Sequence, residues 1–513
     1  MTAILKPKQQ WSIIPASLLA GVAGQNVLIV GQMLPAGTAT ADALLTELTN
    51  DTSVNNALFG RTSHIAGMVR NFKRENGISR LDAIPLADDG GATQGTAVIA
   101  FVGGGGAGEA GTLTVAIGSE NDHQYEIDVE DADTITEIGD KLVALTDADL
   151  DAPFTGVNAA GTVTYTAENG GTLCNDWDIR VSGSVSGITI TLTGWTGGAT
   201  DPSLTGILDV IGNIRYQTII WASAYSLATV QTLLDARFNA DNQILDGVAI
   251  QLKKGTSTEV KAYADQNSQS VVVVANKTIS ETDRKGTAVP EMPDTLASQI
   301  GAIRALRRTE GASLTQYLTT VAPKDQFGGI AQASLPYFNT ALPNCAPALE
   351  QDMFTETEQN SMEASGVSMI GSNRAFNACI FGAFVTTYLT DTAGNPDLSY
   401  KYLNTVDTIS VIREFFYENF RSNYAQTRLT DGDLVQSYDM ANAGSIRAFS
   451  NELYDELADD VLVQKGRVAK QDFNDNMSVE TEISTGTALV DIAPLLVTQL
   501  RVVLGTIQVN FSS

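Results

Sequence analysis

Apolar runs and amphipathic stripes alternate along the chain in a readable order. Asn26 to Gly31 (NVLIVG) is a short apolar run closed by glycine, the pattern of a buried strand. Ile65, Met68, Val69 and Phe72 fall at i, i+3, i+4 and i+7, which predicts a helix over 61–75. Arg61, Arg70, Lys73 and Arg74 cover its other faces. Leu81 to Leu86 reads as a second strand. The mixture resumes after residue 206 with a strand at Tyr216 to Ala222, a helix from Ser226 to Phe238, a strand at Gly247 to Leu252, and Val271 to Ala275. The consecutive valines of that last run suit a strand covered on both faces, as in a parallel sheet flanked by helices. Segments 26–90 and 207–345 therefore read as two parts of one α/β core domain.

The stretch between them, 91–206, follows a different period. Thr112 to Ile117, Gln124 to Val129, Thr162 to Ala167 and Ile188 to Thr193 alternate apolar and polar residues, separated by Gly, Asn and Asp. This predicts an antiparallel β-domain inserted in a surface loop. Beyond residue 350 come two long helical patterns, Tyr402 to Tyr417 and Ser445 to Val463, within a third domain over 346–495. Trp11, Ile13 and Ile14 lie in an N-terminal arm, 1–25, with little local partner. The end of the chain, 496–513, reads as a strand apolar on both faces through Leu500, Val502, Val503, Leu504, Ile507 and Val509. A terminal strand of this kind has an unpaired edge and is either covered or pairs with another chain. The predicted class is α+β multidomain: a mixed α/β core, an inserted antiparallel β-domain, and a C-terminal α/β domain with extended terminal arms.

Charge sharpens the division. The 513 residues carry a net charge of −28, which argues against nucleic-acid binding and adhesion to an anionic membrane. Residues 1–90 balance at seven basic and seven acidic side chains, 91–206 hold 17 acidic against two basic (Lys141, Arg180), and 207–513 hold 35 against 22. Over half the excess thus sits in the middle segment, which reads as a separately folded, solvent-facing module; deleting it should leave a chain that still folds. No stretch approaches the roughly 20 apolar residues of a membrane span. The run Trp11 to Gly24 behind Lys6 and Lys8 imitates a signal peptide, but Ser12, Pro15 and Ser17 interrupt it.

Candidate chemistry is sparse. Cys174, Cys345 and Cys379 are too few and scattered for a disulfide framework or metal knuckle and fit a reducing compartment. His64 and His123 have no suggestive neighbours, which leaves histidine catalysis and His-ligated metal without support. Gly103, Gly105 and Gly108 satisfy GxGxxG, yet Gly111 to Gly118 alternates like a strand where a dinucleotide site needs a helix, so GGGGAG reads as a hairpin connection. There is no phosphate loop of the GxxxxGK[ST] type. The acidic run Glu120 to Asp151 has 12 carboxylates against one lysine; Glu126, Asp128 and Glu130 alternate along one face, which suits a solvated strand better than a calcium loop. A carboxylate pair for hydrolysis is not selected by spacing.

The most distinctive stretch is Arg374 to Phe416, RAFNACIFGAFVTTYLTDTAGNPDLSYKYLNTVDTISVIREFF. It resembles the signature of contractile-phage tail sheath proteins of the Mu-like type, where a strand runs into TTY, a Gly-containing hairpin, D-x-SY-x-YLNTV and a long helix. Thr386, Thr387, Tyr388, Gly394, Asp397, Ser399, Tyr400, Tyr402 and Leu403 to Val406, Asn404 among them, occupy the matching places. Asn26 to Thr40, Leu58 to Val69 and Gly197 to Leu208 look like further counterparts. The polar stretch after Arg467, before Pro494, departs from the pattern.

The resemblance implies a structural subunit, not an enzyme, with no cofactor, no catalytic residues and no metal. It implies self-assembly as stacked hexameric rings around a tail tube, with baseplate and tail terminator proteins as further partners and no direct contact with nucleic acid. It also implies a virion tail assembled in the host cytoplasm, whose contraction drives the tube through the bacterial envelope for genome delivery. The insert would lie on the outer surface and 346–495 near the tube, and strand exchange through the arms would join neighbours. Alternatives are a phage-derived contractile injection device, an acidic adhesin-like β-protein, and a hydrolase using carboxylates of the insert.

Overall fold

The computed structural model describes residues 25–103, 110–119, 121–238, 245–321, 337–373, 378–432, 440–459 and 462–497. The arm residues Trp11, Ile13, Ile14, Leu500, Val502, Val503, Leu504, Ile507 and Val509 lie outside these.

Strand β1 (Asn26–Gln32) is followed by helix α1 (His64–Glu75) and strand β2 (Arg80–Leu86). The Ser63 hydroxyl caps α1 by accepting from the Ala66 N–H, and Ile65, Met68, Val69 and Phe72 form its buried stripe. Gly31 lets that stripe lie against β1, because a Cβ there would come within 2.8 Å of the Met68 sulfur.

The chain then leaves for the insert: β3 (Gln94–Gly103), β4 (Gly111–Ile117), β5 (Gln124–Val129), α2 (Ile135–Ala148), β6 (Phe154–Ala159), β7 (Thr162–Gly170), β8 (Ile179–Gly183) and β9 (Ile188–Thr196). It returns through β10 (Thr218–Trp221), α3 (Leu227–Arg237), β11 (Val248–Gly255), β12 (Val271–Ser280), β13 (Arg284–Thr287) and the long α4 (Pro293–Val321). Next come β14 (Ala341–Leu342), α5 (Glu356–Ala364), β15 (Val367–Asn373), β16 (Ala378–Phe381) and α6 (Leu403–Tyr424). The last elements are α7 (Ala443–Asp459), α8 (Arg467–Asn476) and a hairpin of β17 (Ser478–Glu482) and β18 (Thr487–Asp491).

The core sheet runs β2-β1-β10-β11-β12, all parallel, with β15 parallel to the first half of β12. Both faces are covered. Val27, Ile29, Val272 and Val274 point into one apolar core with α1 and α4, whereas Leu28, Val30, Val271 and Val273 point into another with α3. The mixed α/β class read from these runs is the architecture found.

The insert differs from the separate module that its charge implied. Its strands β6-β7-β3-β9 form one sheet, but β5, β4 and β8 continue the core sheet, because β13 pairs with β12 on one side and β8 on the other. Met292, just before α4, completes the insert's apolar core. The acidic run also holds a helix: Thr134 and Glu137 form a reciprocal capping box that starts α2, with Ile138 and Leu142 buried. Strand β5 shows the expected alternation, with Glu126 and Asp128 outward and Tyr125, Ile127 and Val129 inward, and β7 alternates likewise over Thr162 to Ala167. Most of GGGGAG lies outside the described residues; the strands on either side of it, β3 and β4, are in different sheets and do not pair with each other.

Candidate functional site

The signature residues gather where the core sheet meets α6. The Thr386 N–H donates to the Lys401 carbonyl (2.7 Å), and its hydroxyl donates to the Tyr400 carbonyl (2.7 Å). The Thr387 N–H donates to the Val271 carbonyl (3.0 Å), and its hydroxyl bonds both the N–H and the carbonyl of Ser268, each at 3.1 Å. Both threonines are fully buried, and these bonds satisfy groups that would otherwise be costly to leave dry. One threonine holds the returning chain and the other holds β12.

The intervening loop is a turn built by carboxylates. Asp391 accepts from the N–H groups of Ala393 and Asn395, and Gly394 sits at φ +83°, a conformation open to glycine. The Tyr388 hydroxyl donates to Asp397 (2.6 Å), and the Ser399 N–H and hydroxyl donate to the other oxygen. The Ser399 and Tyr388 bonds hold the Asp397 carboxyl below its usual range; burial and the Asp397 partner push the phenol of Tyr388 up. The Tyr388 and Tyr400 rings meet edge to face at 5.1 Å. Tyr402 precedes α6 and bonds Glu363 (3.2 Å), and Asn404 lies in the first helical turn. The described signature residues thus cluster at one junction, where the contacts of the threonines, Tyr388, Asp397, Ser399 and Tyr402 tie one segment to another.

Sequence reasoning missed the centre of that junction. Asp407, on α6, accepts from Arg304 (2.6 Å), Arg308 (2.5 Å) and the Tyr337 hydroxyl (2.5 Å), all of them buried. Burial alone would raise the Asp407 carboxyl, but the two guanidinium groups outweigh it and hold it below its usual range. The available signal was a carboxylate four residues after Leu403, on the apolar stripe. Beyond Asp407 the same helix supplies Ile412 and Phe416 to a second apolar core with Leu453, Tyr454 and Phe473. Its 22 residues span about 33 Å, so α6 is one strut shared by the core and the C-terminal region.

At the far end of that strut, β17 and β18 form a two-stranded sheet on their own. Val479 packs toward α7, and Ile483, Leu489, Leu495 and Val497 are exposed. The polar stretch after Arg467 therefore holds a helix and a hairpin.

The histidines, which sequence spacing left without neighbours, line one cleft of about 480 Å³ between α1 and the insert. His123 Nδ1 lies 2.8 Å from Asp149, which also accepts from the Tyr125 hydroxyl (2.8 Å). Burial would raise Asp149, but His123 and Tyr125 bring it down to about 2. His64 is buried edge to face against Trp177 with no hydrogen-bond partner for either ring nitrogen, and burial lowers it to about 3. Burial pushes Glu291 up to about 8 and Asp294 up to about 7. Arg61 and Arg70 pair with Asp151 and Arg74 with Asp122, so opposite charges tie α1 to the insert across this cleft. Ser63 and Ser119 line the same cleft, but among the described residues neither hydrogen-bonds a histidine ring: the His64 nitrogens have no partner, and His123 Nδ1 meets Asp149. Among these residues no three His, Cys, Asp or Glu side chains converge as for a metal, and no helix is long and apolar enough to cross a membrane.

Fold and junction together define a multidomain α/β protein whose described signature residues join one part of the chain to another. No family model matches the chain. The Mu-like prophage FluMu tail sheath protein of Haemophilus influenzae is 26% identical to it over 415 residues, 79% of this chain and 77% of that protein. The similarity to Mu-like tail sheath proteins therefore extends far beyond the Arg374 to Phe416 stretch. Among solved structures, the sheath tail protein of Desulfitobacterium hafniense matches at 10% identity, with 93% of this chain and 97% of that one covered and a TM-score of 0.46. The sheath tail protein Lin1278 of Listeria innocua matches at 10% identity, 94% and 96% coverage and a TM-score of 0.48.

Proposed function

We propose that this chain is the structural subunit of a contractile tail sheath. It polymerises as stacked hexameric rings around a tail tube, docks on baseplate and terminator proteins, and contracts to drive the tube through a bacterial envelope. Similarity to a named sheath protein over most of the chain supports the class, and a structural role needs no catalytic residue. The observation that carries the mechanism is the isolated β17–β18 sheet at the end of α6. A two-stranded hairpin is marginal in water by itself, and its outer edges pair with nothing among the described residues. The terminal arms are the matching parts: Leu500, Val502, Val503, Leu504, Ile507 and Val509 at one end, Trp11, Ile13 and Ile14 at the other.

Strand addition supplies several backbone hydrogen bonds, each worth a net ~0.5–1.5 kcal/mol, and buries alternate apolar side chains. Paired arms let rigid domains rotate without letting go, so two packings of the same domains can store and release work without a nucleotide. In this arrangement α6 transmits load from the ladder at its far end to the Asp407 junction. The insert lies outside and the C-terminal region faces the tube.

Negative-stain microscopy of the purified chain tests the reading directly. Tubes or rings are expected from the full chain, and folded but unassembled subunits from a chain ending at residue 499. Normal tubes from the truncated chain would overturn the arm mechanism, and a strictly monomeric full chain at all concentrations would overturn the sheath reading. A phage-derived injection device uses the same subunit chemistry, and no observation favours it over a phage tail.

A further inference from the structure

Cys345 and Cys379, far apart in sequence, meet in the core. Their sulfurs are 3.0 Å apart, and both residues are buried. Cys379 lies on β16 opposite Leu342 of β14, and its N–H donates to the Cys345 carbonyl (3.4 Å). A backbone hydrogen bond of this kind brings two residues to the close approach a disulfide needs, roughly 4.4–6.8 Å between Cα atoms. Both thiols also reach toward the Ala346 carbonyl, at 3.8 Å from Cys345 and 3.1 Å from Cys379. Both cysteines belong to the apolar core that also holds Tyr337, Phe381 and Phe384. Cys174, the third thiol, belongs to the core of the insert.

We propose that Cys345 and Cys379 are a disulfide site, reduced when the chain folds and oxidised when it later meets a small-molecule disulfide such as oxidised glutathione. The step is thiol–disulfide exchange. One thiol, as thiolate, attacks the glutathione disulfide and releases one glutathione; the second then attacks the mixed disulfide and releases the other. Two protons leave the cysteines and two electrons reduce one oxidised glutathione to two thiols. Burial pushes the Cys345 thiol well above its ordinary value, so thiolate is scarce and the exchange waits on local opening.

The bond would close a loop of 34 residues that carries α5 and β15 and ends just before the Thr386 junction. It would fasten the outer part of the core sheet to the segment leading into α6. A particle assembled in a cell and used outside it, as the proposed function has it, passes through that change of redox surroundings; the chemistry of the pair does not depend on that reading.

The test uses the full chain, incubated with oxidised glutathione alone and with sub-denaturing urea to speed local opening. Thiols titrated after complete denaturation should fall from three to one. A non-reduced digest should contain one cross-linked pair joining the Cys345 and Cys379 peptides, and the oxidised chain should melt roughly 5 °C above the reduced one. Cys379→Ser should abolish both the cross-link and the shift. Three free thiols under both conditions, stable glutathione adducts at these positions, a cross-link through Cys174, or a lower melting temperature on oxidation would each overturn the proposal.

Discussion

The insert and the C-terminal hairpin both carry strands that the core does not need for its own two-sided cover, yet they end differently. The insert closes onto the core: β8 pairs with β13, and Arg284 sits buried between Asp178 (3.3 Å) and Asp352 (2.6 Å). Asp122 and Asp151 of the insert also pair with three arginines of the core, two of them on α1. Among the described residues the β17–β18 hairpin pairs strands only with itself; one face packs toward α7 through Val479, and Leu489 on the other is left in water. High net charge therefore does not mark an independent module here. An open strand edge is the better sign of a part that depends on something outside the chain.

That contrast predicts its own largest effect. Deleting residues 91–206 would strip β13 of its outer partner, uncover Met292 and leave Arg284 buried without Asp178. The expectation drawn from composition, a core that still folds, is replaced by loss of a cooperative melt and of solubility. Circular dichroism and sedimentation of the deletion chain read this out. A soluble fragment with a sharp transition would show that the insert and core are separable after all.

The next effect lies at the head of α6. Asp407→Ala leaves Arg304 and Arg308 buried with their shared carboxylate gone, which costs about 3–5 kcal/mol where a buried pair is broken from one side. Tyr337→Phe removes a single bond to that carboxylate and costs about 1–2 kcal/mol. Urea unfolding of the two variants tests the order. Equal, small losses would mean that the junction is not held by charge.

How far the sequence was legible follows the same division. Elements with a strong period were readable: the α1 stripe Ile65, Met68, Val69 and Phe72 and the valines of β12 declare their faces, because burial on one or both sides leaves a repeating pattern. Helix α2 was hidden, because its acidic residues mask a modest apolar face and only the Thr134–Glu137 box announces it. The union of insert and core was hidden for another reason. It rests on two short strands and a buried arginine whose partners lie 106 and 68 residues away, and no local window contains such a pairing. The same holds for Asp407 with Arg304, for the two histidines of the cleft, and for Cys345 with Cys379. The signature threonines could be named from resemblance, but their work of tying β12 to the start of α6 needed the fold.

Across the seam between core and insert, Glu291 gives a pH-dependent effect of intermediate size. Its carboxyl is raised by burial to about 8, so the folded state holds a proton that the unfolded chain has already lost. Stability from this group is present below the ordinary carboxylate range and drains away as pH rises toward 8, with a slope approaching ~1.4 kcal/mol per pH unit. Asp294, raised to about 7, acts in the same direction, and His64, lowered to about 3, acts in the opposite direction only below its ordinary value. Between about pH 6.5 and 8 the carboxylates therefore dominate this set. Glu291→Gln should flatten the fall in stability over that interval. Identical pH profiles for the variant and the parent chain would show that Glu291 does not hold a proton in the fold.

The smallest effect on folding should come from the open hairpin, where the largest effect on assembly is expected. Leu489 is 57% exposed on β18, opposite Glu480 and on the side away from Val479 and α7. Leu489→Lys removes no buried contact within the subunit, so its unfolding free energy should stay within about 0.5 kcal/mol of the parent. An added strand would have to cover this position, and a lysine there costs desolvation and places a cation in the new sheet. Tube yield by sedimentation and microscopy should drop while the urea midpoint holds. A variant that loses stability and assembles normally would reverse the comparison: the hairpin would then be part of the subunit's own core, and the insert would be the place to look for contacts between subunits.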